Sequence, residues 1–315
     1  MKRHLKRYFD IVFFALAPGF LKRAVKRRGE KRYLKQISER MKRTRISKEE
    51  VDSVFDEMQL GCDVMFHTST MNIGKVAGGT KFLAERIEKT VDTSKHTLLL
   101  SALPYSFPHV DTVFDVRTAP VAVGAVNEYF ALMDGAKRSL HPTHSVVAIG
   151  PRADEYVSAH HLDETPFGQN SPYRKLIENN GKIVMFGATM DNITELHAVE
   201  DMVGPLYPVK IYTETYDVKV VDYDGRELTV KTPLHLQSAS IRRNPWKLRE
   251  GLLECGAMSA RKLGEGEVLV IDMRRMVVFC LNMLLGGESL YGRHKVSAEL
   301  REKLNELIVS LKNTK

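Results

Sequence analysis

Short, wholly apolar runs set between helical patterns constrain this chain more than any other feature. Residues 98–100 (Leu-Leu-Leu), 145–149 (Ser-Val-Val-Ala-Ile) and 183–186 (Ile-Val-Met-Phe) are too short for helices and show no polar face. Runs of that kind read as strands buried on both sides. Residues 63–67 (Asp-Val-Met-Phe-His) supply a fourth candidate. Helical patterns separate them at 47–58, 81–90, 122–133 and 175–179, the first opened by the capping box Ser47-Lys-Glu-Glu50. The alternation predicts an α/β chain folded as a three-layer α/β/α sandwich with a mostly buried sheet. Residues 209–230 instead alternate with period two around Asp224-Gly225, which predicts an antiparallel hairpin excursion off that sheet. A basic helix at 245–253, a strand at 268–271 and a last helix from Ser297, with the seam Leu300, Leu304, Leu307, Ile308 and Leu311, complete the reading.

Charge divides the chain in two. The formal net charge is +8, yet 16 of the 47 Lys and Arg fall in residues 1–45 against only Asp10, Glu30 and Glu39. Residues 1–46 are therefore read as a basic arm and 47–315 as a mildly acidic domain. The arm holds an apolar stretch at 8–21, broken by Asp10, Pro18 and Gly19, which is shorter than the roughly 20 residues a membrane span needs. No small-residue cleavage site follows it, only more Lys and Arg. Two readings stand for the arm: a basic amphipathic segment lying on an anionic membrane face, and a domain-packed or poorly ordered extension. Phe9, Phe13, Phe14 and Phe20 favour the first. No nucleic-acid motif accompanies the charge. Cys62, Cys255 and Cys280 form no ligand or disulfide pattern, which points to a reducing, cytoplasmic setting, peripheral at the inner membrane face if the arm seeks that surface.

Several familiar chemistries are absent. The sequence holds no G-x-x-x-x-G-K-[ST] phosphate loop, no G-x-S-x-G elbow and no H-E-x-x-H zinc helix. His160-His161 are neighbours that a helix would point about 100° apart, so they suit a surface or capping role better than metal binding. Three clusters remain. Gly74-Lys-Val-Ala-Gly-Gly79 ahead of a helix can cradle an anion, and His67-Thr-Ser-Thr70 sits just upstream at a strand end. Arg138-Ser-Leu-His-Pro-Thr-His-Ser145 enters another strand. Asp191 or Asn192 would cap a helix on which His197 shares a face with Thr194 and Glu200.

Taken in order, these motifs resemble those of the aminoglycoside 3-N-acetyltransferases. The resemblance rests on Phe66-His-Thr-Ser with Ile-Gly-x-Val-x-Gly-Gly79, and on Phe114-Asp115 with Pro120 and Gly124. It continues through Arg138-Ser-x-His-Pro-x-x-Ser-Val-x-Ala-Ile-Gly150, Pro166-Phe-Gly-x-x-Ser-Pro172, Gly181-Lys-x-x-x-x-Gly187 and Asp191-x-x-Thr-x-Leu-His-x-x-Glu200. It covers residues 47 to 285 and implies a sandwich distinct from the common acetyltransferase superfamily fold. The implied reaction is transfer of acetyl from acetyl-CoA to an amine, with His197 as general base oriented by Asp191 or Glu200 and no metal. It further implies cofactor contacts from His67, Thr68, Ser69, Thr70, Gly74, Val76, Gly78 and Gly79, and from Ser139, His141 and Ser145.

The sequence departs from the drug-modifying members where they meet their substrate. They often place a carboxylate where Thr143 stands, and an acidic loop where this chain has Leu236-Gln-Ser-Ala-Ser-Ile-Arg-Arg-Asn-Pro-Trp-Lys247. Ala119 replaces their usual Thr before the motif proline. Arg242 and Arg243 would repel a polycation and attract phosphate or carboxylate. The expected acceptor is therefore a small-molecule amine, an amino sugar linked to a nucleotide or lipid phosphate. An aminoglycoside antibiotic is the alternative within the class, and a non-catalytic CoA- or sugar-binding module the alternative outside it.

Overall fold

The computed structural model describes residues 19–105 and 110–313, with side chains from residue 31 onward. Fourteen strands run through the described residues: β1 Arg45–Ile46, β2 Val64–Thr68, β3 Lys75–Val76, β4 Leu98–Ser101, β5 Phe114–Asp115, β6 Lys137–Arg138, β7 Val146–Ile149, β8 Lys182–Phe186, β9 Tyr212–Val221, β10 Glu227–His235, β11 Met258–Leu263, β12 Gly266–Asp272, β13 Glu288–Ser289 and β14 Gly292–Arg293. Seven form the central sheet in the order β11-β12-β8-β2-β4-β7-β6. Its middle, β8-β2-β4, is parallel, and the flanking pairs are antiparallel.

Strand periodicity builds the three layers. Met65, Leu99, Val146, Ala148, Ile183 and Met185 face one core, while Val64, Phe66, Leu98, Leu100, Val184 and Phe186 face the other. Every one of these side chains is fully buried, which at about 1.5–3 kcal/mol each makes the doubly covered sheet the main source of stability. The second core is covered by Lys48–Asp56, Gly79–Val91 and Ala125–Ala131. On the first lie Ala153–Val157, Pro172–Glu178, Leu196–Val203, Arg249–Glu254, Met273–Leu285 and Ala298–Asn313. This is the sandwich expected from the sequence. The hairpin also forms, as β9 and β10, and recruits β5 into a separate three-stranded sheet.

Three local expectations change. Asp191 and Asn192 do not open the His197 helix. Thr189 caps a 3-10 turn at Met190–Asn192, and the helix starts at Leu196, because Ile193 turns its side chain into the core with extended backbone. The 245–253 helix is split into a 3-10 turn, Pro245–Leu248, and Arg249–Glu254. His160 is fully buried rather than at the surface: its Nε2–H donates to the Pro166 carbonyl at 2.9 Å and its Nδ1 lies 2.9 Å from Ser139 Oγ.

Ahead of the body, helix α1 (Gly19–Arg43) leads into β1, which pairs in parallel with β3. Sheet contact thus begins at Arg45, two residues before the expected start of the domain. The apolar stretch at 8–21 falls almost wholly outside the described residues. Among those described, no helix is long and apolar enough to cross a membrane.

Candidate active site

Parallel strands β2, β4 and β8 end at one edge of the sheet, where the loops leaving β4 and β8 contribute to a cavity of about 600 Å³. Leu103 comes from the loop after β4; Asp191, Thr194 and His197 follow β8. His144, Leu234, His235, Gln237, Ser240, Arg243 and Pro245 close the remaining walls.

His197 occupies the first turn of Leu196–Val203, on the wall of this cavity, with 14% of its side chain exposed. Its Nδ1–H donates to Glu200 Oε2 at 2.6 Å, three residues on along the same helix. The Tyr291 hydroxyl donates to Glu200 Oε1 at 2.7 Å. Glu200 therefore has both oxygens engaged, and the imidazole is held in the tautomer that leaves the Nε2 lone pair for the cavity. Burial pushes both partners toward their neutral forms, His197 well below the ordinary histidine value and Glu200 above the ordinary carboxylate value. The guanidinium of Arg243 lowers His197 further and opposes the rise at Glu200.

His235 was not singled out by the sequence, yet its ring lies 4.2 Å from that of His197, with Phe167 and Tyr212 against the pair. His144 stands 5.6 Å from His235, its Nδ1 2.9 Å from the Thr143 hydroxyl. Burial, then mutual repulsion among the imidazoles, drives both far below the usual range. Ligand atoms of His197, Glu200 and His235 lie within 4.8 Å of one another, so a metal-sized cluster exists that no sequence spacing announces.

The remaining sequence candidates are placed as follows. Period two turns His67 toward the His197 layer, where its Nε2 meets the buried Glu195 carboxylate at 2.7 Å. Thr68 points to the opposite face, its hydroxyl donating to Asn127 Oδ1 at 3.3 Å. Ser69 and Thr70 open the turn Thr70–Ile73. Val76 has its side chain buried on β3. Gly74 is needed for packing, since a Cβ there would meet the Thr44 carbonyl oxygen at 2.8 Å. Gly78 and Gly79 sit at the N-terminus of Gly79–Val91, both with positive φ. Ser139, His141, Thr143 and Ser145 are all buried in a polar network around Arg138 and His160 and do not line the cavity. Asp191 lines it and accepts from Trp246 Nε1 at 2.7 Å. Arg243 lines it too, whereas Arg242 turns toward the Tyr291 carbonyl.

Compared with known proteins, residues 65–285 match the family model for aminoglycoside 3-N-acetyltransferase. This chain belongs to that family. The acetyltransferase is thus an acyl-CoA-dependent enzyme with acetyl-CoA as co-substrate. It is similar to aminoglycoside N(3)-acetyltransferase III of Salmonella sp, 27% identical over 222 residues that cover 65% of this chain and 72% of the relative. Aminoglycoside N(3)-acetyltransferase IX of Micromonospora chalcea is 32% identical over 157 residues, covering 44% and 54%. Among solved structures, aminoglycoside acetyltransferase AAC(3)-Xa superposes with a TM-score of 0.64 at 23% identity, covering 80% of this acetyltransferase and 95% of that chain. AAC-IIIb in binary complex with CoASH gives 0.62 at 20% identity, covering 75% and 94%.

Proposed function

We propose that this acetyltransferase moves the acetyl group of acetyl-CoA to an amine of an amino sugar, with His197 as general base. The observation that carries the reading is the Tyr291–Glu200–His197 chain ending on an open cavity at the strand edge. A bound ammonium has no lone pair, so His197 Nε2 removes a proton first. The amine then attacks the thioester carbonyl, the nitrogen of the tetrahedral intermediate gives its second proton to solvent, the intermediate expels the CoA thiolate, and the imidazolium returns its proton to that sulfur. Glu200 offsets the transient positive charge on the imidazole. No covalent enzyme intermediate is required. The Ser69 N–H is already given to the Phe186 carbonyl at 2.8 Å, so the side-chain hydroxyls of Ser69 and Thr70 and the Thr70 N–H, after β2, are the proposed donors to the developing oxyanion.

The N-terminus of Gly79–Val91 is where the reading places a cofactor phosphate. Gly78 cannot test this cleanly, because a Cβ there would come 2.6 Å from Phe82 Cβ. Gly79 meets nothing within 4 Å. Its φ of +63° is one that Asn and Asp tolerate, so Gly79→Asn and Gly79→Asp differ mainly by a charge. Calorimetry should find CoA affinity within about twofold of the parent for Asn and weakened by about tenfold or more for Asp. Equal affinities for the pair would move the phosphate elsewhere.

The named relatives fit an aminoglycoside acceptor more closely than the nucleotide- or lipid-linked amino sugar expected from the sequence. One observation favours the second. Arg243 lines the cavity, with Nη2 on the Ile193 carbonyl at 2.8 Å and Nε buried without a partner, while Asp191 is the one carboxylate-bearing wall residue among the described residues. Thiol-release assays across aminoglycosides, neutral amino sugars and phosphorylated amino sugars decide between them. Arg243→Gln should shift kcat/KM by about tenfold toward cationic acceptors. It should also move the acid limb of the pH profile upward, since the lost guanidinium was lowering the His197 pKa. An unmoved limb would mean that Arg243 does not reach the base.

A further inference from the structure

Helix α1 lies ahead of the family match and has no part in the acetyl-transfer site. Eleven of its 25 residues are Lys or Arg, and two, Glu30 and Glu39, are acidic. Its last turns are tied to the body. Arg40 Nη1 donates to the Met71 carbonyl at 2.8 Å, and Arg40, Arg43 and Thr44 converge on the Glu265 carboxylate. The Thr44 hydroxyl and then Arg43 hold that carboxyl down to about 2. From Lys31 to Gln36 the side chains stand clear: Lys31, Arg32 and Lys35 are exposed, and with them Tyr33 at 50% and Leu34 at 62%.

A tyrosine and a leucine left in water among cations gain nothing from solvent and nothing from the acidic body beyond Glu265. They suit a surface that is anionic outside and apolar a few ångströms in. We propose that α1 docks on an anionic lipid bilayer, its Lys and Arg on the headgroups and Tyr33 and Leu34 at the acyl boundary. A nucleic-acid backbone would match the charge and leave Leu34 unused. The rooting of the helix adds a geometric consequence. Met71 belongs to the turn after β2, whose Asn72 side chain donates to the Gly187 carbonyl after β8 at 3.0 Å. The helix therefore springs from the sheet edge that carries the cavity, and docking brings that edge to the headgroups.

The full chain should be sedimented with vesicles of phosphatidylcholine mixed with phosphatidylglycerol, and with pure phosphatidylcholine. Binding to the anionic vesicles should be about tenfold stronger or more at low salt and should fall steeply by about 0.5 M. Lys31→Glu with Arg32→Glu and Lys35→Glu should cut it at least about tenfold, while acetyl transfer to a soluble acceptor without vesicles stays unchanged. Tyr33→Ser with Leu34→Ser should weaken binding and leave its salt dependence in place. Equal binding to both vesicles, no binding, a charge-reversed chain that binds like the parent, or an RNA oligonucleotide that outcompetes the vesicles would each overturn the proposal.

Discussion

His197→Ala lowers kcat by about 10²–10⁴, the range for losing a positioned acid–base group, and leaves the calorimetric affinity for CoA nearly unchanged. The proton acceptor is lost while the cofactor's proposed contacts on the β2 loop and the Gly79–Val91 terminus remain. Glu200→Gln keeps an acceptor for Nδ1–H and removes the charge, so its loss should be smaller, about 10–10². Tyr291→Phe, which deletes only the hydrogen bond to Glu200 Oε1, should cost less again. The pH profile is a separate check. Because burial and Arg243 keep the His197 pKa well below 6.5, the base stays unprotonated there and activity should hold as pH falls through 6.5. A profile that collapses at an ordinary histidine pKa, or an alanine variant of near-parental kcat, would remove His197 from the mechanism.

Acidification should destabilise the fold through its histidines. His141, His144, His160, His197 and His235 are all held below the ordinary value by burial, His160 to about 3. Each binds a proton more readily when unfolded. Stability is then fully present above about pH 6.5 and lost below it, at up to about 1.4 kcal/mol per pH unit for each histidine. Three carboxyls oppose the trend. Asp163 and Glu200 are raised by burial, and Asp201 is raised to about 6 by burial despite hydrogen bonds from Thr165 and Tyr212, so the folded state takes up their protons first as pH falls. With these five histidines, and His161 also lowered by burial, against three carboxyls, the balance is net destabilisation. Urea unfolding at pH 7.5, 6.5 and 5.5 should show midpoints that fall with pH, the unfolding free energy dropping by several kcal/mol over about two pH units. A flat midpoint would mean that the histidines are protonated in the native state or hydrated in it.

The sheet was legible because its strands advertise burial on both faces: Leu98-Leu-Leu100 and Ile183-Val-Met-Phe186 have no alternative as solvated segments. The hairpin was legible from Asp224-Gly225. What single-chain spacing misses is whatever tertiary folding brings together. His235 reaches His197 only because β10 returns along β9 to the cavity, and Glu195 meets His67 across 128 residues. His160 looked like a surface residue because nothing local shows that Ser139 and the Pro166 carbonyl will enclose it. Arg242 and Arg243 read alike in sequence, yet consecutive positions at a helix end point in different directions, and only one lines the cavity.

The position of β2 in the middle of the sheet has a consequence for synthesis. Its neighbour β4 follows within about 30 residues, but its other neighbour, β8, begins at Lys182, more than 110 residues after Val64. At roughly 5–20 residues per second, the Val64-Met-Phe-His-Thr68 edge waits between about 6 and 24 seconds for its partner to leave the ribosome. During that interval a strand led by three apolar residues presents unpaired backbone to whatever is near. Nascent chains stalled before Phe186 should therefore be the species that chaperones capture, and fragments ending there should aggregate rather than fold.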